Sequence, residues 1–161
     1  MRLTFHIIPT PKGRPKFNAY TKRAYTPVKS RTYEESIRKL ALQQLGVDGD
    51  YPIHEKGVPL AIDIDFLCPR PKASMRKKDP EGLLWNPKGY DVDNLTKSIL
   101  DALNGVLWDD DRQIVQLRTR KMLHEKDKSH RVCLFVYPCK EEPTHTCETW
   151  DDPDLGWEES K

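Results

Sequence analysis

Residues 90–113 read YDVDNLTKSILDALNGVLWDDDRQ, and the rest of the chain is organised around them. Leu95, Ile99, Ala102 and Val106 recur at helical spacing, which gives the stretch one apolar face. Asp93 or Asn94 offers the short polar side chain that starts a helix, and Asn104 followed by Gly105 stops it. Asp91 and Asp93 stand two apart. On extended backbone their carboxylates would leave the same side of the chain, close enough to share a divalent cation. Asp93, Lys97 and Asp101 fall at i, i+4 and i+8, so a lysine and acids share the helix's other side. Past the glycine, Asp109, Asp110 and Asp111 are adjoining like charges, relieved by solvent or by a cation. Carboxylate and water oxygens suit Mg²⁺ or Mn²⁺. A calcium loop counted from Asp91 would need glycine at its sixth position and an acid at its twelfth, where Thr96 and Ala102 stand. A plainer reading remains open, in which Asp91 and Asp93 only favour a helix N-terminus and the Asp109–Asp111 run is a solvated turn.

Outward from this block, Leu60, Ile62, Ile64 and Phe66 alternate with Ala61, Asp63 and Asp65, a strand pattern. Asp63 and Asp65 imitate the paired acids, but regular alternation in a long strand assigns them to a polar sheet face. Leu3, Phe5 and Ile7 form a shorter strand before Pro9 and Pro11. Thr32 and Glu35 have capping-box spacing, and Tyr33, Ile37, Leu40, Ala41 and Leu45 mark the face of a scaffold helix ending at Gly46. Val115, Leu117 and Thr119, and then Val132, Leu134 and Val136, predict two further strands paired as a hairpin. The order β, α, β, α, β, β predicts an α+β fold: one domain, a mixed sheet, helices on one side.

Two segments are basic loops. Lys12, Arg14 and Lys16 lie among prolines and a glycine, which predicts solvent-facing cations suited to phosphate. Tyr20, Lys22, Arg23 and Tyr25 continue it; the aromatics either stack on bases or, as the favoured reading, pack on the domain. Residues 69–89 carry Arg76, Lys77 and Lys78 among four prolines and predict a mobile loop able to clamp a DNA backbone.

Charge divides the chain. Residues 138–161 hold two lysines and eight acids, −6, which leaves 25 cations against 17 acids, +8, for residues 1–137. A basic body fits a polyanionic partner, and an acidic, period-free tail from residue 138 onward is expected to be flexible, with its own partner unidentified. Four cysteines without a C-x-x-C pair are expected as plain thiols. No segment reads as a membrane span or a signal peptide, so a cytoplasmic protein is expected.

The pattern D-x-D-N-L-x-K at residues 91–97, D-A-L-N-G at 101–105 and D-D-x-Q at 110–113 resembles RusA-type Holliday-junction resolvases, carried mostly by phages and prophages. The likeness extends to PKGRP at 11–15 and TPVKSRTYEE at 26–35, and covers residues 1–137. It implies a metal-dependent nuclease with Asp91, Asp93 and Asp111 as catalytic and metal-binding carboxylates, Asp110 in support and Lys97 as the motif lysine. It also implies four-way DNA junctions as substrate and a homodimer presenting two sites. Tyr90 departs from the pattern, since relatives often carry a basic residue or proline there, and Asp109 adds a charge beside the acid pair. The rival from another class is a catalytically inactive protein that binds branched DNA through the basic loops.

Overall fold

The computed structural model describes residues 1–20, 22–46 and 49–139, with the side chains of Lys16 and Asn18 also outside the description. The expected acidic tail falls from residue 140 onward outside the described residues. The strands are β1 (Arg2–Phe5), β2 (Lys16–Asn18), β3 (Arg23–Tyr25), β4 (Leu60–Cys68), β5 (Leu84–Trp85), β6 (Ile114–Leu123) and β7 (Arg131–Pro138). The helices are α1 (Val28–Leu45) and α2 (Val92–Leu103). Strands order as β1-β7-β4-β6-β5 in one mixed sheet, while β2 and β3 form a separate hairpin. Among the described residues no helix is long and apolar enough to cross a membrane.

Strand β4 is central because it is apolar on both faces near each end, so only a position covered on both sides suits it. It pairs parallel to β6, with α2 in the crossover, and antiparallel to β7 on its other edge. The expected β6–β7 hairpin is therefore corrected: β4 lies between them. The alternation predicted both strands but not their neighbour, because residues 124–130 pass over the end of β4.

Both helices cover one face, as expected. Tyr33, Ile37 and Ala41 of α1 and Leu95, Ile99, Ala102 and Leu103 of α2 join Leu3, Phe5, Ile62, Ile64, Phe66, Val132 and Leu134 in one buried core. Burying each large aliphatic contributes about 1.5–3 kcal/mol, so this shared core, rather than helix propensity, holds α2 in place. Helix α1 begins four residues before the expected Thr32, with Pro27 at its N-cap. Proline supplies the entry φ of −55° without a side-chain cap, and buried Ser30 turns instead to accept a hydrogen bond from Gly13 N–H at 2.8 Å. The other face of the sheet carries the pairs Arg118–Asp63 and Arg120–Asp65, each two-pronged and at 2.7 Å at closest. Register sets them opposite one another, which assigns Asp63 and Asp65 to a charged ladder.

Candidate active site

Helix α2 begins at Val92 rather than after Asp93 or Asn94, with Asp91 at its N-cap on extended backbone (φ −67°, ψ 141°). Asp91 makes no side-chain cap bond there, so its carboxylate is not consumed by the helix end. Asp93 follows in the first turn, where the helix dipole favours an anion. Asp91, Asp93 and, one turn further along, Lys97 are all exposed, and none has an ion-pair partner among the described residues. Lys121 prepares the entry. Its ammonium donates to the carbonyls of Lys88 and Tyr90, tying the turn before α2 to the end of β6. Sequence reading missed Lys121. The available signal was a lysine continuing the Val115, Leu117, Thr119 alternation on the helix-covered face.

The far end of α2 is set by the D-A-L-N-G motif. Asn104 accepts the indole N–H of buried Trp108 at 2.6 Å, its carbonyl accepts from Arg38, and Gly105 turns the chain with φ of 72°. Beyond Trp108 stands a capping box: the Asp110 carboxylate accepts from Arg112 N–H, and the Gln113 side chain accepts from the backbone of Asp109 and Asp110. Gln113 then donates to the carbonyls of Glu55 and Val58, clamping the acid turn against the approach to β4. The capping box expected at Thr32 and Glu35 does not form, since both lie inside α1. Asp110 is gripped at both oxygens by the Arg112 guanidinium, which with the backbone bond holds its pKa down to about 2. Asp110, expected as a supporting metal ligand, is engaged by the turn and by Arg112 in this structure. Asp111 is exposed.

These two acidic ends do not meet. Gln113 lies beside the start of β4, and Ile114 pairs with Leu60, its first residue. The Tyr90–Asp91 turn lies beside Lys121, which pairs with Phe66 near the end of β4. Helix α2 spans the interval, and its 12 residues extend about 18 Å at 1.5 Å per residue. Accordingly, among the described residues no group of three or more His, Cys, Asp or Glu side chains is placed to hold one metal ion. Asp91 and Asp93 fit two ligands of a Mg²⁺ that keeps several waters. Asp111 of the same chain does not complete that set.

The basic loops differ from expectation in opposite directions. Lys12, expected to face solvent, sits between Glu34 of α1 and Asp101 of α2, 2.6 Å from each. Burial works against its charge, but the bonds to Asp101 and Glu34 outweigh it and raise its pKa. The same loop is pinned to α2 by Lys12 N–H on the Asn94 carbonyl and by Ser98 on the Thr10 carbonyl, both at 2.9 Å. Lys12 is therefore a bracket between helices. Arg14 is exposed, and the Lys16 side chain lies outside the description. The aromatics expected to pack on the domain are exposed instead, Tyr20 at 96% and Tyr25 at 48%, as is Phe17 at 68%, at a hairpin whose β3 residues are all exposed.

Residues 69–82 are not a mobile loop. Buried Arg70 donates to the carbonyls of Ser74, Pro80 and Gly82, and Lys126 donates to those of Arg76 and Asp79. A planar guanidinium reaching several carbonyls fixes a loop that lacks any period, which is why sequence alone misread it. Arg76 pairs with Asp79, whereas Lys77 and Lys78 are exposed with no ion-pair partner among the described residues.

A family model described as Endodeoxyribonuclease RusA matches residues 6–134. The chain belongs to the RusA endodeoxyribonuclease family. The match runs from the end of β1 to within β7, so it takes in both acidic ends of α2 and the basic loops. As a RusA-family protein the chain is a nuclease acting on DNA. It is also 28% identical over 135 residues to the uncharacterized protein YqaN of Bacillus subtilis (strain 168), covering 80% of this chain and 91% of that protein.

Proposed function

We propose that this RusA-family nuclease is a Mg²⁺-dependent, structure-selective endonuclease, with Mn²⁺ as a substitute, that resolves four-way DNA junctions by paired phosphodiester hydrolysis in the cytoplasm. The observation that carries the reading is the pair Asp91 and Asp93. Both are exposed at the N-terminus of α2, unused by capping or ion pairing, with Lys97 one turn away. Such a pair accepts but cannot donate, which suits a hard cation. The metal, when bound, supplies a water of lowered pKa and neutralises phosphate charge. The chain's own part is to hold two carboxylates on a rigid helix end, backed by Lys121 beneath the preceding turn. Lys97 places a compact positive charge where a phosphate oxygen gains negative charge.

Exposed Arg14, Lys22, Arg23, Lys77 and Lys78 support backbone contact, and Phe17 and Tyr25 offer ring faces to bases opened at a branch point. Two symmetric cuts suit a homodimer. The rival reading, a branched-DNA binder without chemistry, draws on the lack of three grouped acids among the described residues. One experiment decides between them: cleavage of an end-labelled four-way junction, beside linear duplex, with and without Mg²⁺. The expected result is junction cutting that requires Mg²⁺ and is lost in Asp91→Asn and Asp93→Asn while binding persists. Binding by the wild type with no cutting in Mg²⁺ or Mn²⁺ would establish the rival.

A further inference from the structure

We infer that the cavity between the end of β1 and the first turns of α1 is a second phosphate site, which grips the backbone of a DNA arm through His6, Lys29 and His130. The inference rests on the branched-DNA reading above and deepens it by naming where an arm is held away from the reacting phosphate.

The cavity arises where two strands part. Strands β1 and β7 pair from Arg2 with Phe135 to Phe5 with Val132. Ile7 N–H then folds back onto the Phe5 carbonyl at 2.9 Å, a three-residue turn that carries the chain off β7. The gap left beside α1 has a volume of about 540 Å³. It is walled by His6 after β1, by Lys29, Thr32 and Tyr33 of α1, and by His130 before β7.

The chemistry of these walls selects an anion. No acid lines the cavity. His6, Lys29 and His130 have no ion-pair partner among the described residues. The Tyr33 hydroxyl is buried, in a residue only 6% exposed, and no group among the described residues accepts its proton. Burial pushes its pKa up, against a lowering by Thr10 N–H, so the proton stays available to donate. A buried hydroxyl without an acceptor is a cost that a bound group with spare lone pairs removes. Phosphate oxygens accept from all four of these side chains at once. A cation does not suit the place, because a lysine faces the two imidazoles and no third His, Cys, Asp or Glu among the described residues joins them. Beyond His6 stand Asp127, Lys128 and Arg131, and Glu125 pairs with both of those cations, so the surrounding charges cancel.

The cavity lies at the same end of the sheet as Asp91 and Asp93. Phe5 pairs with Val132, Val132 with Phe66 and Phe66 with Lys121, whose ammonium holds the turn before Asp91. Three strand spacings of about 4.8 Å separate the two places by roughly 14 Å, about four steps of a DNA strand at about 3.4 Å each. An arm that offers its scissile phosphate to Asp91 and Asp93 thus offers a second phosphate, about four nucleotides away, to the cavity.

The test is the affinity of the full-length protein for an immobile four-way junction, read by fluorescence anisotropy in EDTA so that no strand is cut. Wild type is expected to bind about tenfold tighter at pH 6 than at pH 8, with a steeper salt dependence at pH 6, because histidine gains its charge over that range. His6→Gln with His130→Gln should remove both differences. Junctions carrying one uncharged methylphosphonate, moved outward from the branch point position by position, locate the contact. One position should weaken wild type at pH 6 and leave the double variant unmoved. Should His130→Gln, at a half-buried position, lower Tm, His6→Gln with Lys29→Gln, both at exposed positions, must still weaken binding at pH 6 and lose the methylphosphonate effect. Equal wild-type affinity at both pH values, or a double variant that keeps the difference, overturns the site. A difference lost in the variant but touched by no methylphosphonate overturns it as well, since the cavity then takes a free anion and not DNA. A protein that shows these effects yet never cuts refutes the Mg²⁺-dependent cleavage proposed above and keeps the site, whereas one that cuts junctions in Mg²⁺ without them loses only the site.

Discussion

Replacing Lys12 tests whether the PKGRP segment meets DNA or ties the fold together. Its ammonium lies 2.6 Å from both Glu34 and Asp101, and the three side chains are 18%, 19% and 26% exposed. Exposed ion pairs contribute about 0–1 kcal/mol, while removing one partner of a buried pair costs about 3–5 kcal/mol. Exposures near one fifth place Lys12→Met between these limits, at about 2 kcal/mol, chiefly because two carboxylates are left facing each other. For a domain of this size about 2 kcal/mol lowers Tm by roughly 4–8 °C. Thermal unfolding followed by circular dichroism measures it. Adding Glu34→Gln and Asp101→Asn to Lys12→Met should recover most of the loss, because the stranded charges are gone.

The pH dependence has a definite sign. The folded pKa of Lys12 is raised, so its contribution is fully present below the unfolded lysine value and disappears as pH climbs through the folded one. The Tm gap between wild type and Lys12→Met should therefore be steady from pH 7 to 9 and narrow above about 10.4. A Lys12→Met protein that melts with wild type, yet binds junctions with a shallower salt dependence, would refute the bracket and restore Lys12 to the DNA surface.

Asp63→Asn and Asp65→Asn should leave junction cleavage within about twofold of wild type and cost at most about 1 kcal/mol each, since both acids belong to an exposed ladder on the face away from α2. Lys77→Ala with Lys78→Ala should weaken junction binding and reduce the slope of log affinity against log salt by roughly two phosphate contacts, whereas Lys97→Ala should slow cleavage far more than it weakens binding. In a salt series, an unchanged slope for the double variant removes those lysines from the interface. Arg131 holds the pKa of Glu125 down to about 2, so the stability this acid contributes is present above its unfolded value and is lost as pH falls toward 2. Glu125→Gln should narrow the Tm gap to wild type between about pH 4.3 and 2; a gap constant over that window would contradict the pairing. Deleting residues 140–161, whose charge opposes the body's, should tighten binding to linear duplex at low salt, with the difference fading as salt screens it.

Much of the fold was legible because burial imposes a period. The apolar positions of α1, α2, β4 and β7 are read from their spacing, and the helices' common face follows from having one stripe each. What escaped was set by polar side chains acting at a distance. Nothing local tells that Arg70 will gather four carbonyls, that Gln113 will clamp an acid turn, or that Lys12 will meet acids 22 and 89 positions later. Strand partnership escaped for a related reason: alternation states which face is buried, and is silent on which strand lies alongside.

The candidate site divides the same way. Motif spacing singles out Asp91, Asp93, Lys97 and Asp111, and a short motif encourages placing them together. Topology places them apart, because a parallel β4–α2–β6 unit must return the chain to the end from which β4 began before β6 can start. An acid before α2 and an acid before β6 are then at opposite ends by construction, whatever their separation in sequence.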